Sequence, residues 1–369
     1  MSELAASAAA SAAASSAVTA AAVADRTVAA PDYLCVDRFL RTVIDARSLK
    51  TAFEIGLVDF LVQRGSSPLP LLQQATGTDA RGLAMLLALL GQAGVLVQRL
   101  GDVSLQPAFT QALRFRDLLE TKLDFAGFLL DDFADHFTAL VRDPQRFVAQ
   151  GRLFELFDYR LALGSSFEGW QRTRAWMRLT STLTRYEARA LMALHDFGAH
   201  RRVLDVGGNS GEFMLQLCRR HPALRATVFD LPLVCEIGLE HLLPEPEAAR
   251  IAFRAGDLRS DPLPGGHDLI SFKSVLHDWP QDDADRFLAS AVQALEPGGT
   301  LLIAERGPVE QFDRPPGFGD LPVLLFFRSY RPPDAYLARL AQLGLQDLRC
   351  QTLMLDTPFF TITGRKAAA

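Results

Sequence analysis

Cysteine is scarce in this chain: Cys35, Cys218, Cys235 and Cys350 stand singly among 369 residues. They have neither the paired spacing of a zinc site nor the density of a disulfide scaffold, which excludes both and points to a reduced, cytoplasmic protein with no resident metal. Long apolar runs are missing too. Arg, Asp or Gln interrupts every hydrophobic stretch before it reaches the roughly 20 residues that span a bilayer, so no transmembrane segment is expected. Nor is there an excess of positive charge. With 38 Lys and Arg against 43 Asp and Glu, the formal net charge is −5, and the basic field that non-specific nucleic-acid binding relies on is absent. Lysine itself is rare: only Lys50, Lys122, Lys273 and Lys366 stand among those 38 cations.

What is present is ordinary globular composition, 49% hydrophobic and 22% charged with 25 Phe, at a length that exceeds one domain. Residues 1–30 are almost all Ala and Ser, too poor in large apolar side chains to offset the entropy of ordering, and are expected to be a disordered or frayed-helix tail. Its only early charge is Glu3 and its first Arg is Arg26, which does not fit a secretory signal; a cleaved organellar transit peptide stays open.

From Tyr33 to about Arg64 apolar residues recur at helical spacing and predict two helices, stopped by Gly65 and Pro68. A short helix around Leu69 to Ala75 follows, then a helix from Ala80 to Ala93 capped by Asp79, and an alternating stretch Val95 to Leu105 broken at Gly101-Asp102. This is the pattern of a winged-helix unit. Its helix Gly82 to Leu90 is apolar nearly all round, however, whereas a helix that reads a DNA groove exposes Arg, Lys, Asn or Gln, so a core or a subunit interface fits better. Phe109 to about Trp176 is helical and dense in Phe; most of these rings are core, with Phe125, Phe128 and Phe167 as candidates for the wall of a pocket for a flat apolar substrate.

Beyond about Arg201 the texture changes. Short apolar runs at 203–206, 226–229, 251–254, 269–272 and 301–304 alternate with helical segments, the mark of a doubly wound, Rossmann-like α/β sheet. A helix from Asp334 to Leu343 and an antiparallel pair, Leu348 to Leu355 and Phe359 to Thr363, close the chain. The expected organisation is a tail over 1–30, a helical winged-helix-like domain over 31–175 and an α/β domain over 176–369.

Ligands of such sheets lie beyond the carboxyl ends of the strands. The first run ends in Asp205-Val206-Gly207-Gly208-Asn209-Ser210-Gly211, a turn that lets backbone approach a ligand before a helix starts. It fails the dinucleotide fingerprint, because positions 209 and 210 are Asn and Ser. The second run ends in Asp230, whose carboxylate can accept from both ribose hydroxyls, and the third in Gly256-Asp257, suited to an adenine amino group. With no Lys or Arg in the first loop to meet a pyrophosphate, a nucleoside without phosphates is implied.

The succession of residues 204–211, Phe229-Asp230-Leu231-Pro232, Gly256-Asp257-Leu258, Phe272 to Trp279 and Pro297 to Glu305 resembles the motifs of the S-adenosylmethionine-dependent small-molecule O-methyltransferases, the group of plant phenolic and bacterial polyketide enzymes. His277-Asp278-Trp279 is the most distinctive of them, and the resemblance covers nearly everything after Tyr33. It implies a mostly parallel sheet with one antiparallel strand near its edge, an N-terminal dimerisation domain, homodimers, and an active site between the domains. Residue by residue it implies Gly207 near the methionine part of S-adenosylmethionine, Asp230 on the ribose, Asp257 and Leu258 at the adenine, and Lys273 on the cofactor side. Met177 is implied against the substrate and Ser181 near the cofactor carboxylate. Lys273 is a lysine in a chain that otherwise writes arginine, which favours a site wanting a compact ammonium.

The implied chemistry is methyl transfer to a hydroxyl of a hydrophobic aromatic, polyketide or isoprenoid-like small molecule. A phenol with a pKa around 10 is mostly protonated at neutral pH, so a base within reach helps. His277 and Glu305 follow adjacent strands; Glu305 would accept from one imidazole nitrogen and leave the other for the substrate proton. The other histidines, His136, His195, His200, His221, His241 and His267, read as structural. Plant members place a second acid beside the base where this chain has Tyr330, which together with Asp278 is a candidate substrate contact. That departure leaves room for C-methylation or for non-methylating chemistry on the same scaffold. A third reading, a DNA-binding regulator that senses the cofactor, is disfavoured by the acidic charge and the apolar helix.

Overall fold

The computed structural model describes residues 31–152, 157–309, 316–326 and 329–368. The tail 1–30, Phe154 and the pair Phe327-Arg328 lie outside the described residues. The chain divides by packing into two compact units, residues 31–155 with 311–325, and residues 156–310 with 326–369. A boundary at 175/176 instead falls inside the continuous helix Phe167–Leu191. No helix among the described residues is long and apolar enough to cross a membrane.

The helical unit opens with a 3₁₀ turn, Asp32–Phe39, and the stretch expected to hold two helices therefore holds three elements. Helix Val43–Glu54 starts where Thr42 accepts from the amide of Asp45 at 3.1 Å, and a left-handed Gly56 separates it from Leu57–Arg64. Helix Ala80–Gln92 is capped as expected: Asp79 accepts from the amides of Arg81 and Gly82, and Leu83, Leu86, Leu87 and Leu90 are buried. Strands β1 (Ser66–Pro68), β2 (Leu96–Arg99) and β3 (Asp102–Leu105) form an antiparallel sheet in the order β1-β3-β2. Its hairpin turns at Leu100 (φ 50°) and Gly101 (φ 89°), one residue before the expected break, because a two-residue loop that matches the strand twist needs positive φ at both central positions. The 27-residue helix Arg116–Arg142 is tied to earlier segments by Lys122–Asp37 at 2.6 Å and Lys50–Asp124 at 2.5 Å.

The second unit is a seven-stranded sheet in the order β6-β5-β4-β7-β8-β10-β9. The strands are β4 (Arg202–Val206), β5 (Arg225–Asp230), β6 (Ile251–Ala255), β7 (His267–Lys273), β8 (Leu295–Arg306), β9 (Gln346–Met354) and β10 (Pro358–Arg365). The five strands β6 to β8 pair in parallel, and β10 runs antiparallel to both β8 and β9, the α/β arrangement expected from the alternation. Strand order reverses between β4 and β7, which makes the carboxyl ends of those two strands the switch point at which such sheets bind ligands. One face packs Phe197, Phe213 and Phe359 under helix α1 (Phe167–Leu191) and helix α2 (Glu212–Arg220). The other packs Phe272, Phe287, Tyr336 and Phe360. With both faces covered, the central strands read as unbroken apolar runs rather than alternating ones.

Candidate active site

The turn after β4 takes positive φ at Gly207 (67°), Asn209 (56°) and Gly211 (75°). Gly207 has no room for a side chain: a Cβ there would lie 2.8 Å from the side chain of Val275, two residues beyond the end of β7. Asn209 holds its left-handed backbone as asparagine can, and its amide donates to Asp230 Oδ2 at 2.8 Å while the Leu231 amide donates to Oδ1 at 2.8 Å. Burial nevertheless pushes Asp230 up to about 6, against those two hydrogen bonds. Asp205 on β4, which sequence reasoning did not single out, accepts from the Ser271 hydroxyl at 2.7 Å and is pushed by burial to about 7.

Helix α1 ties this turn to the neighbouring strand ends. Ser181 and Ser210 hydroxyls meet at 2.6 Å, and Thr180 accepts from the Asn209 side chain at 3.1 Å. Lys273 turns toward the same helix, donating to Glu187 at 2.5 Å and Thr184 at 3.1 Å, and Arg306 pairs with Glu187 from the end of β8. The lysine expected on the cofactor side is thus already neutralised by a buried glutamate. Asp257 accepts from the Arg259 amide at 2.9 Å and from its guanidinium, with the shortest contact at 2.7 Å. Leu258 packs partly buried against the sheet core. Immediately after Lys273, Ser274 has φ 55° and a buried hydroxyl with no hydrogen-bond partner among the described residues. A tight glycine turn with no Lys or Arg over 207–211, the Ser274 hydroxyl and the Asp230 carboxylate fit the methionine and nucleoside parts of S-adenosylmethionine.

His277 lies in the 3₁₀ turn Leu276–Asp278 that follows β7. Its Nδ1 is 2.8 Å from Glu305 Oε2. Glu305 is fully buried on β8, and its other oxygen accepts from the amides of Val275 at 2.9 Å and Leu276 at 2.8 Å. Burial works against that charge, but His277 and the two amides outweigh it and hold the carboxyl below its ordinary range. Glu305 therefore fixes the tautomer with the proton on Nδ1. For His277 burial likewise opposes the charge, and Asp278 with Glu305 outweighs it, so the imidazole titrates above its ordinary value. Asp278 Oδ1 is 3.3 Å from His277 Nε2. The turn is bracketed by Arg331, whose guanidinium donates to the carbonyl of Leu276 at 2.7 Å and to that of Trp279.

The rings beside the base differ from those expected. Phe167 is 72% exposed and Phe128 42% exposed, while Phe125 is buried in the helical unit. The rings that stand by His277 are Tyr330, at 5.3 Å between centroids, and Phe326, at 6.4 Å. Phe157 links Phe326 (6.1 Å) to Trp176 (6.3 Å), next to buried Met177. Sequence reasoning missed Tyr159, Glu187 and Arg331, whose partners lie far along the chain; Arg331 alone carried a signal, as the residue ahead of a helix-opening Pro-Pro. A separate cleft of about 490 Å³ lined by His195, His200 and Arg349 shares none of these residues.

The site defines a class first: a nucleoside-binding switch point with a carboxylate-backed histidine on the adjoining strand end. Comparison with known proteins makes the class specific. Residues 154–313 match the family model of the O-methyltransferase domain. The chain is 32% identical over 268 residues to the 3-hydroxy-5-methyl-1-naphthoate 3-O-methyltransferase of Streptomyces sahachiroi, covering 70% of this chain and 73% of that one. It is 28% identical over 287 residues to the mitomycin biosynthesis 6-O-methyltransferase of Streptomyces lavendulae, covering 73% of this chain and 76% of that one. In fold it resembles human N-acetylserotonin methyltransferase, solved in complex with SAM, with a TM-score of 0.69 at 22% identity over 88% of this chain and 94% of that one. The chain belongs to the O-methyltransferase family and is an S-adenosylmethionine-dependent enzyme.

Proposed function

We propose that the enzyme methylates a hydroxyl of a flat, hydrophobic aromatic or polyketide-like molecule, with His277 as the general base. The observation that carries this reading is the 2.8 Å pairing of His277 Nδ1 with fully buried Glu305, which leaves Nε2 as the nitrogen for a substrate proton. When bound, S-adenosylmethionine supplies a methyl group already activated on a sulfonium, and its transfer leaves a neutral thioether. The protein's part is then to hold the hydroxyl in line and to take its proton at Nε2. Positioning of this kind can supply up to roughly 7–11 kcal/mol.

Asp230 would accept from the ribose hydroxyls, Gly207 and Ser181 would meet the methionine part, and Asp257 with Leu258 would meet the adenine. The linked rings of Phe157, Trp176, Phe326 and Tyr330 support a planar apolar substrate, because flat rings are held by such walls with few polar groups fixing their orientation. Exposed apolar side chains on the helical unit, Ile44, Val62, Met85 and Phe137 among them, support the reading as a homodimer.

The test incubates the enzyme and S-adenosylmethionine with 1-naphthol, hydroxylated naphthoates and hydroxyquinones, and locates the added methyl by mass spectrometry and NMR. A methyl on oxygen, with formation of S-adenosylhomocysteine and strong loss in His277→Ala, is the expected result. A methyl on carbon, or full turnover by His277→Ala, overturns it.

A further inference from the structure

Position 330, where plant relatives of this type place a second acid beside the base, is Tyr330, yet a carboxylate does face His277 Nε2. It belongs to the next residue, Asp278, at 3.3 Å. Side chains at consecutive positions of a helical turn do not ordinarily point at one another, so an outside group has to fix Asp278 in this orientation. The structure supplies one from a segment 119 residues away: the Tyr159 hydroxyl donates to Asp278 Oδ2 at 3.0 Å. Tyr159 is itself held. It opens the turn Tyr159–Leu163, whose start is capped by the Asp158 side chain, and its ring packs edge-on against Trp176 at 5.6 Å.

We propose that Tyr159 is a positioning residue for the base: by gripping Oδ2 of Asp278 it keeps Oδ1 against Nε2 of His277, and so supplies from the base's own turn the second acid that position 330 lacks. The inference rests on His277 being the base. Tyr159 touches neither reacting atom in this scheme; it acts through Asp278.

The groups around the pair set the expected direction. His277 is faced by Glu305 from β8, by Asp278 from its own turn and by the rings of Tyr330 and Phe326, with Arg306 opposing its charge. Asp278 has a side chain 24% exposed; partial desolvation and Glu305 oppose its charge, and His277 and the Tyr159 hydroxyl favour it. Removing that hydroxyl leaves a partly desolvated carboxylate short of a donor, so it takes up a proton more readily or swings away. Either way Nε2 loses a facing anion, and the imidazolium loses one of its two supports.

The experiment compares wild type with Tyr159→Phe, Asp278→Asn and the double variant. Each is read by NMR titration of the His277 ring nitrogens without substrate, by the pH dependence of kcat, and by calorimetry with S-adenosylmethionine. Tyr159→Phe keeps the ring and its packing on Trp176, so the fold is retained. The expected result is a His277 titration moved to lower pH by about half a unit or more in both single variants, with kcat lowered about 3- to 30-fold and cofactor affinity unchanged. The double variant should match Asp278→Asn alone, because the tyrosine acts only through the aspartate. An unmoved His277 titration in Tyr159→Phe, or effects that add in the double variant, overturns the proposal. Because the titration is read without turnover, it judges the coupling even if His277→Ala proves active and the base assignment itself fails.

Discussion

Glu305 divides its two oxygens between His277 and the backbone that carries it: Oε2 meets Nδ1 at 2.8 Å, and Oε1 accepts from the amides of Val275 and Leu276 at 2.9 and 2.8 Å. One side chain thus orients the imidazole and holds the turn that presents it. Glu305→Gln keeps the shape but offers Nδ1 an amide that can also donate, which permits the wrong tautomer. We expect kcat to fall by about 10²-fold or more, approaching the loss in His277→Ala, which should be about 10²- to 10⁴-fold for a general base. Calorimetry should find cofactor affinity within about twofold of wild type, and a matched loss of cofactor binding in Glu305→Gln would refute the assignment.

The sign of the pH dependence follows from the same pairing. A base works only when neutral, and Asp278 with Glu305 overcomes the effect of burial and raises the imidazole above its ordinary value, which is about 6.5. The rate should therefore climb with pH and level off only above that value. In Asp278→Asn one supporting anion is gone, so the acidic limb should move to lower pH. A limb that stays in place when kcat is measured at saturating substrate would remove Asp278 from any role at the base.

The placing of His277, Glu305 and Asp230 was legible in the sequence because each follows a short apolar run, and in a parallel sheet the residues after such runs converge at one edge. The glycine turn was legible for a local reason as well, since Gly207 and Asn209 suit left-handed backbone whatever the tertiary context. What could not be read were pairings across long separations. Nothing around Tyr159 marks it as the partner of Asp278, and nothing around Glu187 marks it as the counter-ion that occupies Lys273. The phenylalanines show a related limit: helical spacing places Phe125, Phe128 and Phe167 on helices, but does not say which ring reaches the base. Strand β8 begins at Leu295, ahead of the run at 301–304: Leu295 pairs with His267, the register then jumps to Leu269–Thr300, and Pro297-Gly298-Gly299 sits in that irregularity with Gly298 at φ 76°.

Cofactor affinity should depend on pH through Asp230. Its carboxylate must be ionised to accept from ribose hydroxyls, and burial lifts it to about 6 despite the amides of Asn209 and Leu231. Protonation competes with binding, so the dissociation constant for S-adenosylhomocysteine should be flat above about pH 7 and weaken by up to about tenfold per unit below 6. Calorimetric titration between pH 5 and 8 checks this; Asp230→Ala should bind weakly at every pH. Affinity that stays constant down to pH 5 would mean the carboxylate does not meet the ribose.

Glu187 makes the last prediction, one of stability rather than turnover. It is 4% exposed and pairs with both Lys273 and Arg306, so Glu187→Gln takes the carboxylate from Lys273 and leaves Arg306 with Asp356 at 3.8 Å. Breaking such a cluster typically costs about 3–5 kcal/mol, and denaturant unfolding should register a loss of that order with little change in slope. Burial alone would raise the Glu187 carboxyl, but Arg306 and Lys273 prevail and bring it down to about 2. A depressed carboxyl stabilises the fold fully above its unfolded value, about 4.3, and loses that contribution as pH falls toward 2. Wild type should therefore weaken between pH 5 and 3 more steeply than Glu187→Gln does. Parallel pH profiles for the two proteins would show that the cluster does not govern acid stability.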